Sequence, residues 1–142
     1  MESRLESMLN LLLESERAGA IALQELSSQV DKEELRRFLL AAYEDHAANA
    51  RDLETLIRDA GGNPSDRTGP FAEKVAALES LRDRLNLLSR GQAWVAQKIE
   101  AALALAPDRG AIRDFLQTMA NRHRHEVEWG RAEVIKLMRA DE

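Results

Sequence analysis

Apolar residues recur along this chain in steps of three and four, the period of helices that bury one face. Leu5, Leu9, Leu12, Glu16, Gly19, Leu23, Leu26 and Val30 share the first such face. Leu35, Phe38, Leu39, Ala42, His46, Asn49, Leu53, Leu56 and Ile57 share the second. A third stripe, from about Leu81 to Ala106, turns Leu81, Leu85, Leu88, Gln92, Ala96, Ile99 and Leu103 inward. A fourth, from about Arg109 to Arg139, turns Ile112, Leu116, Met119, His123, Glu126, Val127, Gly130, Val134 and Leu137 inward. Each stripe is interrupted near its middle by polar groups: Glu16, then His46 with Asn49, then Gln92, then His123 with Glu126. Stripes of this kind pack against one another, so the interruptions are expected to meet at one level of the core. Burying them is unfavourable unless they satisfy each other or hold a metal.

The ends of the stripes carry their own signals. Asp31 followed by Glu34 reads as a capping box for the second helix, and Gly61-Gly62 as its C-terminal stop. Asn63 to Pro70 is the one loop-like stretch. Phe71–Glu79 has helical composition, and Ser80 with Asp83 marks a fresh N-terminus, which predicts a short separate helix before the third long one. Pro107 and Asp108 break the third from the fourth. Helices of these lengths span about 40–45 Å each at 1.5 Å per residue. The connection from Ala60 to Leu81, about 20 residues, is long enough to return the chain along the whole bundle. A long crossover therefore fits better than a plain up-down hairpin, which would leave the Phe71 helix without a purpose.

Composition narrows the class further. The chain has 142 residues, with 44% hydrophobic and 32% charged positions and only 4% aromatic, which suits a single all-α domain over residues 1–142 rather than a β-sandwich. The formal net charge of −5, with acids and bases interleaved, argues against a nucleic-acid surface. There is no cysteine, which removes disulfides, thiolate metal sites and cysteine catalysis, and fits a cytoplasmic setting. No segment is apolar enough for a membrane span or a signal segment. Glycine-rich phosphate loops, Walker and dinucleotide motifs and a Ser-His-Asp order in a fitting context are all missing.

Four-helix bundles with one crossover include carboxylate proteins whose dimetal site takes a lone Glu from each of two helices and a Glu-x-x-His pair from each of the others. The i, i+3 spacing sets both ligands of a pair on one face. Here the first helix offers Glu16. The second has His46-x-x-Asn49, the third has Gln92, and the fourth has Ala120-x-x-His123.

Several stretches resemble a small group of bacterial ferritin-like proteins in the rubrerythrin and ferritin-like superfamily. They are Leu12-Leu13-Glu14-Ser15-Glu16-Arg17-Ala18-Gly19-Ala20, Gly61-Gly62-Asn63-Pro64-Ser65, Gly69-Pro70-Phe71, Arg90-Gly91-Gln92-Ala93-Trp94-Val95 and Leu116-x-x-Met119-x-x-x-His123. The Arg-Gly-Gln-x-Trp-Val stretch is the most specific. The resemblance covers nearly the whole chain and implies a ferritin-like four-helix bundle, with a short crossover helix between the second and third long helices. It implies no particular reaction.

The departures from the dimetal pattern decide the expected chemistry. Two divalent cations need several anionic oxygens. Gln92 and Asn49 are neutral, and only Glu16 and Glu126 bring charge. The first reading is a degenerate site: a hydrogen-bonded core cluster of Glu16, His46, Asn49, Gln92 and His123, with Glu16 accepting from Gln92, His46 and His123, no cofactor and no ferroxidase activity. The second is a metal-binding protein or oxidoreductase holding one Fe, Mn or Zn ion on Glu16, His46 and His123, with Glu126 as a further ligand. The third is a helical interaction module. Trp94 lies opposite the inward stripe of its helix, in line with Leu87 and Leu105, where either the crossover covers it or an exposed strip, joined by Ile21, makes a homodimer. His125 is expected at the surface, as are Glu14, Glu44 and Asp45.

Overall fold

Glu2 caps the first helix by accepting from the backbone N–H groups of Arg4 and Leu5, satisfying two of the donors a helix start leaves open. The computed structural model describes residues 1–140. Its helices are α1 (Ser3–Ser27), α2 (Glu33–Asp59), the short α3 (Phe71–Ala76), α4 (Leu81–Leu105) and α5 (Ala111–Ala140). No helix among the described residues is long and apolar enough to cross a membrane.

Two of the expected ends hold and one does not. Ser80 Oγ accepts from Asp83 N–H to start α4. At the end of α2, Gly62 N–H reaches Ile57 O and Gly61 N–H reaches Arg58 O, with Gly61 at a φ of +85°. That is the Schellman closure, and its left-handed residue is where glycine is favoured. The Asp31 cap is not formed. Lys32 takes the cap position with no side-chain cap hydrogen bond. Arg36 instead donates to Val30 O, tying the turn from inside the helix, while Glu33 and Glu34 in the first turn complement the helix dipole.

The chain runs up, down, down and up. The segment after α2 climbs the outside of α1: Asn10 bonds Asn63 O and Ser65 N, Arg17 bonds Ser65 O and Arg67 O, and α3 then packs on α1 and α4. This is the long crossover. It makes α2 and α4 parallel, so Leu35 and Leu85 share one apolar cluster while Leu53 and Ile99 share the other. The main helix contacts are α1 with α2 and α4 with α5.

Those two clusters form the core. One gathers Leu9, Leu12, Leu53, Ile57, Ile99, Leu116 and Met119; the other gathers Leu23, Leu26, Leu35, Leu39, Leu85 and Val134. Burying a leucine fully is worth about 1.5–3 kcal/mol, so these layers set the alignment of the helices. In α4 the buried line follows Leu85, Leu88, Gln92, Val95, Ile99 and Ala102. Val95 and Ala102 thus take the inner places expected of Ala96 and Leu103, which are only partly buried. The inner line steps by three from Gln92 to Val95 and from Ile99 to Ala102 where the expected stripe stepped by four, and both steps stay on one helix face.

Candidate functional site: a buried carboxylate–imidazole cluster

The interruptions of the four stripes meet between the two apolar clusters. Glu16 and His123 have no exposed surface, and His46, Asn49, Gln92 and Glu126 are buried beside them. α1 can approach so closely because Gly19 follows Glu16 by one turn. A Cβ at Gly19 would lie 2.8 Å from His46 Nδ1, a separation that side-chain carbons do not adopt.

Glu16 sits between the two imidazoles. Its Oε1 is 2.5 Å from His123 Nε2 and its Oε2 is 2.7 Å from His46 Nδ1. His46 Nε2 lies 2.9 Å from Glu126 Oε2, and the two rings meet edge to face with centroids 4.9 Å apart. His46 thus has a carboxylate oxygen at each ring nitrogen. Burial alone would lower its pKa, but Glu16 and Glu126 outweigh burial and raise it from 6.5 to about 10. Burial alone would raise the pKa of Glu16; His46 and His123 override it and hold it at about 2. Both shifts describe one fact, a carboxylate–imidazolium pair sealed from water.

The contacts are not all aligned. The Glu16 Oε2–His46 Nδ1 approach is within bonding distance, yet neither atom has a partner in good hydrogen-bond geometry. It is a charge contact rather than a directed bond. His123 Nδ1 and Asn49 Nδ2 are also buried without a hydrogen-bond partner among the described residues, though His123 Nδ1 stands 4.0 Å from Glu126 Oε2, while Asn49 Oδ1 accepts from Arg122 at 2.9 Å.

Gln92 reaches His46 rather than the expected Glu16. Its Nε2 stands 3.0 Å from His46 Nε2, where two donors would face each other if the ring is an imidazolium. The amide then presents its oxygen instead, a reversal that leaves its shape unchanged.

The sequence missed one buried acid. Glu133 is 2% exposed and pairs with Lys32 at 3.2 Å and Lys136 at 3.1 Å. Its signal was its place two turns beyond Glu126, on the same face. Of the residues expected to be solvated, Glu44 and His125 are exposed, whereas Glu14 and Asp45 are partly buried. Burial, then the nearby Glu126, raises the Asp45 pKa. Trp94 and Ile21 are exposed. Leu87 and Leu105 are partly buried, each against a different apolar cluster.

The donor set can be tested against a metal. One ligand atom from each of Glu16, His46 and His123 lies within 4.8 Å of the others, a set compatible with one ion. It does not fit two. With Gln92 and Asn49 neutral, two carboxylates would face the four positive charges of a dinuclear centre, and no lone carboxylate comes from α4.

A family model described as a domain of unknown function, DUF6306, matches residues 3–133. That is most of the chain, and the chain belongs to this family. No curated protein matches it. Among solved structures, one from Bacillus anthracis str. Ames, described as ferritin like, diiron-carboxylate proteins, is similar with a TM-score of 0.68 and 17% identity over 99% of each chain. At that identity the likeness establishes the fold: a ferritin-like helical bundle.

Proposed function

We propose that this member of the DUF6306 family uses the ferritin-like bundle as a scaffold whose central cluster is a permanent ion-paired polar core in place of a dimetal redox centre. The observation that carries this reading is the environment of His46, with Glu16 Oε2 and Glu126 Oε2 at its two ring nitrogens. A ring protonated on both sides has no lone pair for a metal. Freeing one nitrogen at pH 7 means removing a proton held with a pKa of about 10, on the order of 4 kcal/mol at about 1.4 kcal/mol per unit. The cluster then serves as a locking device. It fixes the level at which α1, α2 and α5 meet, because sliding any of these three by one turn would leave a charge buried and alone. Ferroxidase chemistry is no part of this reading.

A second reading is favoured by a separate observation. Glu16 Oε2 and His46 Nδ1 are close but misaligned, and His123 Nδ1 has no hydrogen-bond partner among the described residues. Glu16, His46 and His123 would hold a single Fe, Mn or Zn ion, with Glu126 beside it. Such an ion would supply Lewis-acid or redox chemistry at its open positions.

Metal analysis of protein purified without chelator separates the two. The ion-paired reading expects no stoichiometric iron, manganese or zinc, and expects Glu16→Leu, His46→Leu and Glu126→Leu together to keep the fold, since apolar replacement of a whole buried ion-paired group is often neutral or stabilising. One equivalent of metal that disappears in a Glu16→Ala, His123→Ala double variant would overturn it in favour of the second.

A further inference from the structure

The Arg90-Gly91-Gln92-x-Trp94-Val95 stretch is not explained by the core cluster, to which it contributes only Gln92. All five of these residues line one cavity of about 490 Å³ between the crossover, α1 and α4. Gly69, Pro70 and Phe71 form its outer wall, and Ala18 and Gly19 belong to the α1 side. Three stretches that stand out in the sequence therefore converge on the same space. Its volume falls within the range of about 300–1,000 Å³ typical of small-molecule sites.

The walls are built for close contact. A Cβ at Gly91 would lie 2.6 Å from the Phe71 ring, so the glycine lets the crossover lay that ring directly on α4. Trp94 is 42% exposed, although Val95 beside it is buried, and Lys98 Nζ sits 5.4 Å from the centre of its ring. Phe71, Trp94, Leu87 and Leu88 give the cavity a largely apolar lining. Its inner end reaches the amide of Gln92 and the imidazole of His46. Besides His46, whose charge Glu16 and Glu126 match within the core, its charged residues are Lys74, Arg90 and Glu14. None of the three forms an ion pair among the described residues, which leaves one positive charge in excess at an apolar site.

We infer that this cavity binds a small amphipathic carboxylate with a flat apolar body. The body lies against Phe71 and Trp94, and the carboxylate pairs with Lys74 of α3 and Arg90 of α4. The excess cation selects an acid over its neutral analogue, and the two aromatic rings select a planar body over a branched one. This assignment is independent of whether the core cluster holds a metal.

The test is calorimetric titration of the full chain with 2-naphthoate and, separately, with 2-naphthamide, which has the same body and no charge. The acid should bind about tenfold more tightly, the effect of two partly exposed ion pairs. Lys74→Gln with Arg90→Gln should remove that preference while leaving helicity unchanged, because both side chains are at the surface. Trp94→Ala should weaken both ligands. Equal affinity for acid and amide, no binding of either, or a preference that survives the Lys74 and Arg90 changes would overturn the assignment. So would a dimer in sedimentation that Trp94→Asp dissociates, since a second copy would then occupy the cavity.

Discussion

Glu16 and Glu133 are both buried glutamates in long helices, and the protein neutralises them in opposite ways. Glu16 is enclosed entirely, and its partners, His46 and His123, are as buried as it is. Glu133 is enclosed too, but Lys32 and Lys136 approach it with side chains that are 46% and 54% exposed. Their long stems cover the acid while their charges stay in contact with water. At Glu133 solvent shares the work, so any one partner is dispensable. At Glu16 nothing outside the cluster can compensate, so each member depends on the others. Burial of a charge therefore matters less than the burial of its counter-charge.

The comparison is tested most severely by His46→Leu. It leaves Glu126 with only His123 Nδ1, 4.0 Å away, and Glu16 with one imidazole instead of two, and unfolding by denaturant should show a loss of about 3–5 kcal/mol. A loss no larger than that at Glu133 would end the distinction drawn here.

Raising the pH should act on the same pair more gradually. The His46 pKa is raised from 6.5 to about 10, so its contribution is complete below about 6.5 and is lost as pH climbs towards 10. The Glu16 pKa is lowered from 4.5 to about 2, so its contribution is complete above about 4.5 and is lost as pH falls through 2. Stability should therefore peak between about pH 4.5 and 6.5. It should then fall by up to about 1.4 kcal/mol per unit on the alkaline side, and this slope should be absent in His46→Leu.

Gly19→Ala sharpens the comparison sterically. The new Cβ at 2.8 Å from His46 Nδ1 should destabilise by about 1–2 kcal/mol, despite the better helix propensity of alanine. The penalty should shrink when His46 is also alanine, as a double-mutant cycle would show. The smallest effect belongs to Lys32→Met. With Lys136 and solvent still at Glu133, the loss should stay below about 1 kcal/mol.

Much of this was legible before any coordinates. Leucines repeating every three or four positions fixed four long helices, because helix periodicity is a local property of the chain. Glu16, His46, Gln92 and His123 stood out because each broke an apolar line in its middle. Glu133 did not stand out, because it lies beside Val134 at the edge of its stripe and looks like a surface acid. The false start at Asp31 has a similar origin: a capping box is a local pattern, and Arg36 reaching back to Val30 O displaced it.

The sequence by itself determined the helices, their inward faces and the polar groups that had to be reconciled inside. Only the tertiary structure decided how they are reconciled. It placed Gln92 on His46 rather than on Glu16, set two carboxylates against one ring, and opened a cavity where the crossover passes α4. The reason is geometric. Spacing along a helix says which side chains share a face, but the partner of a buried charge lies on another helix, tens of residues away. Which atoms come within 3 Å is settled by how the apolar layers above and below lock the helices together.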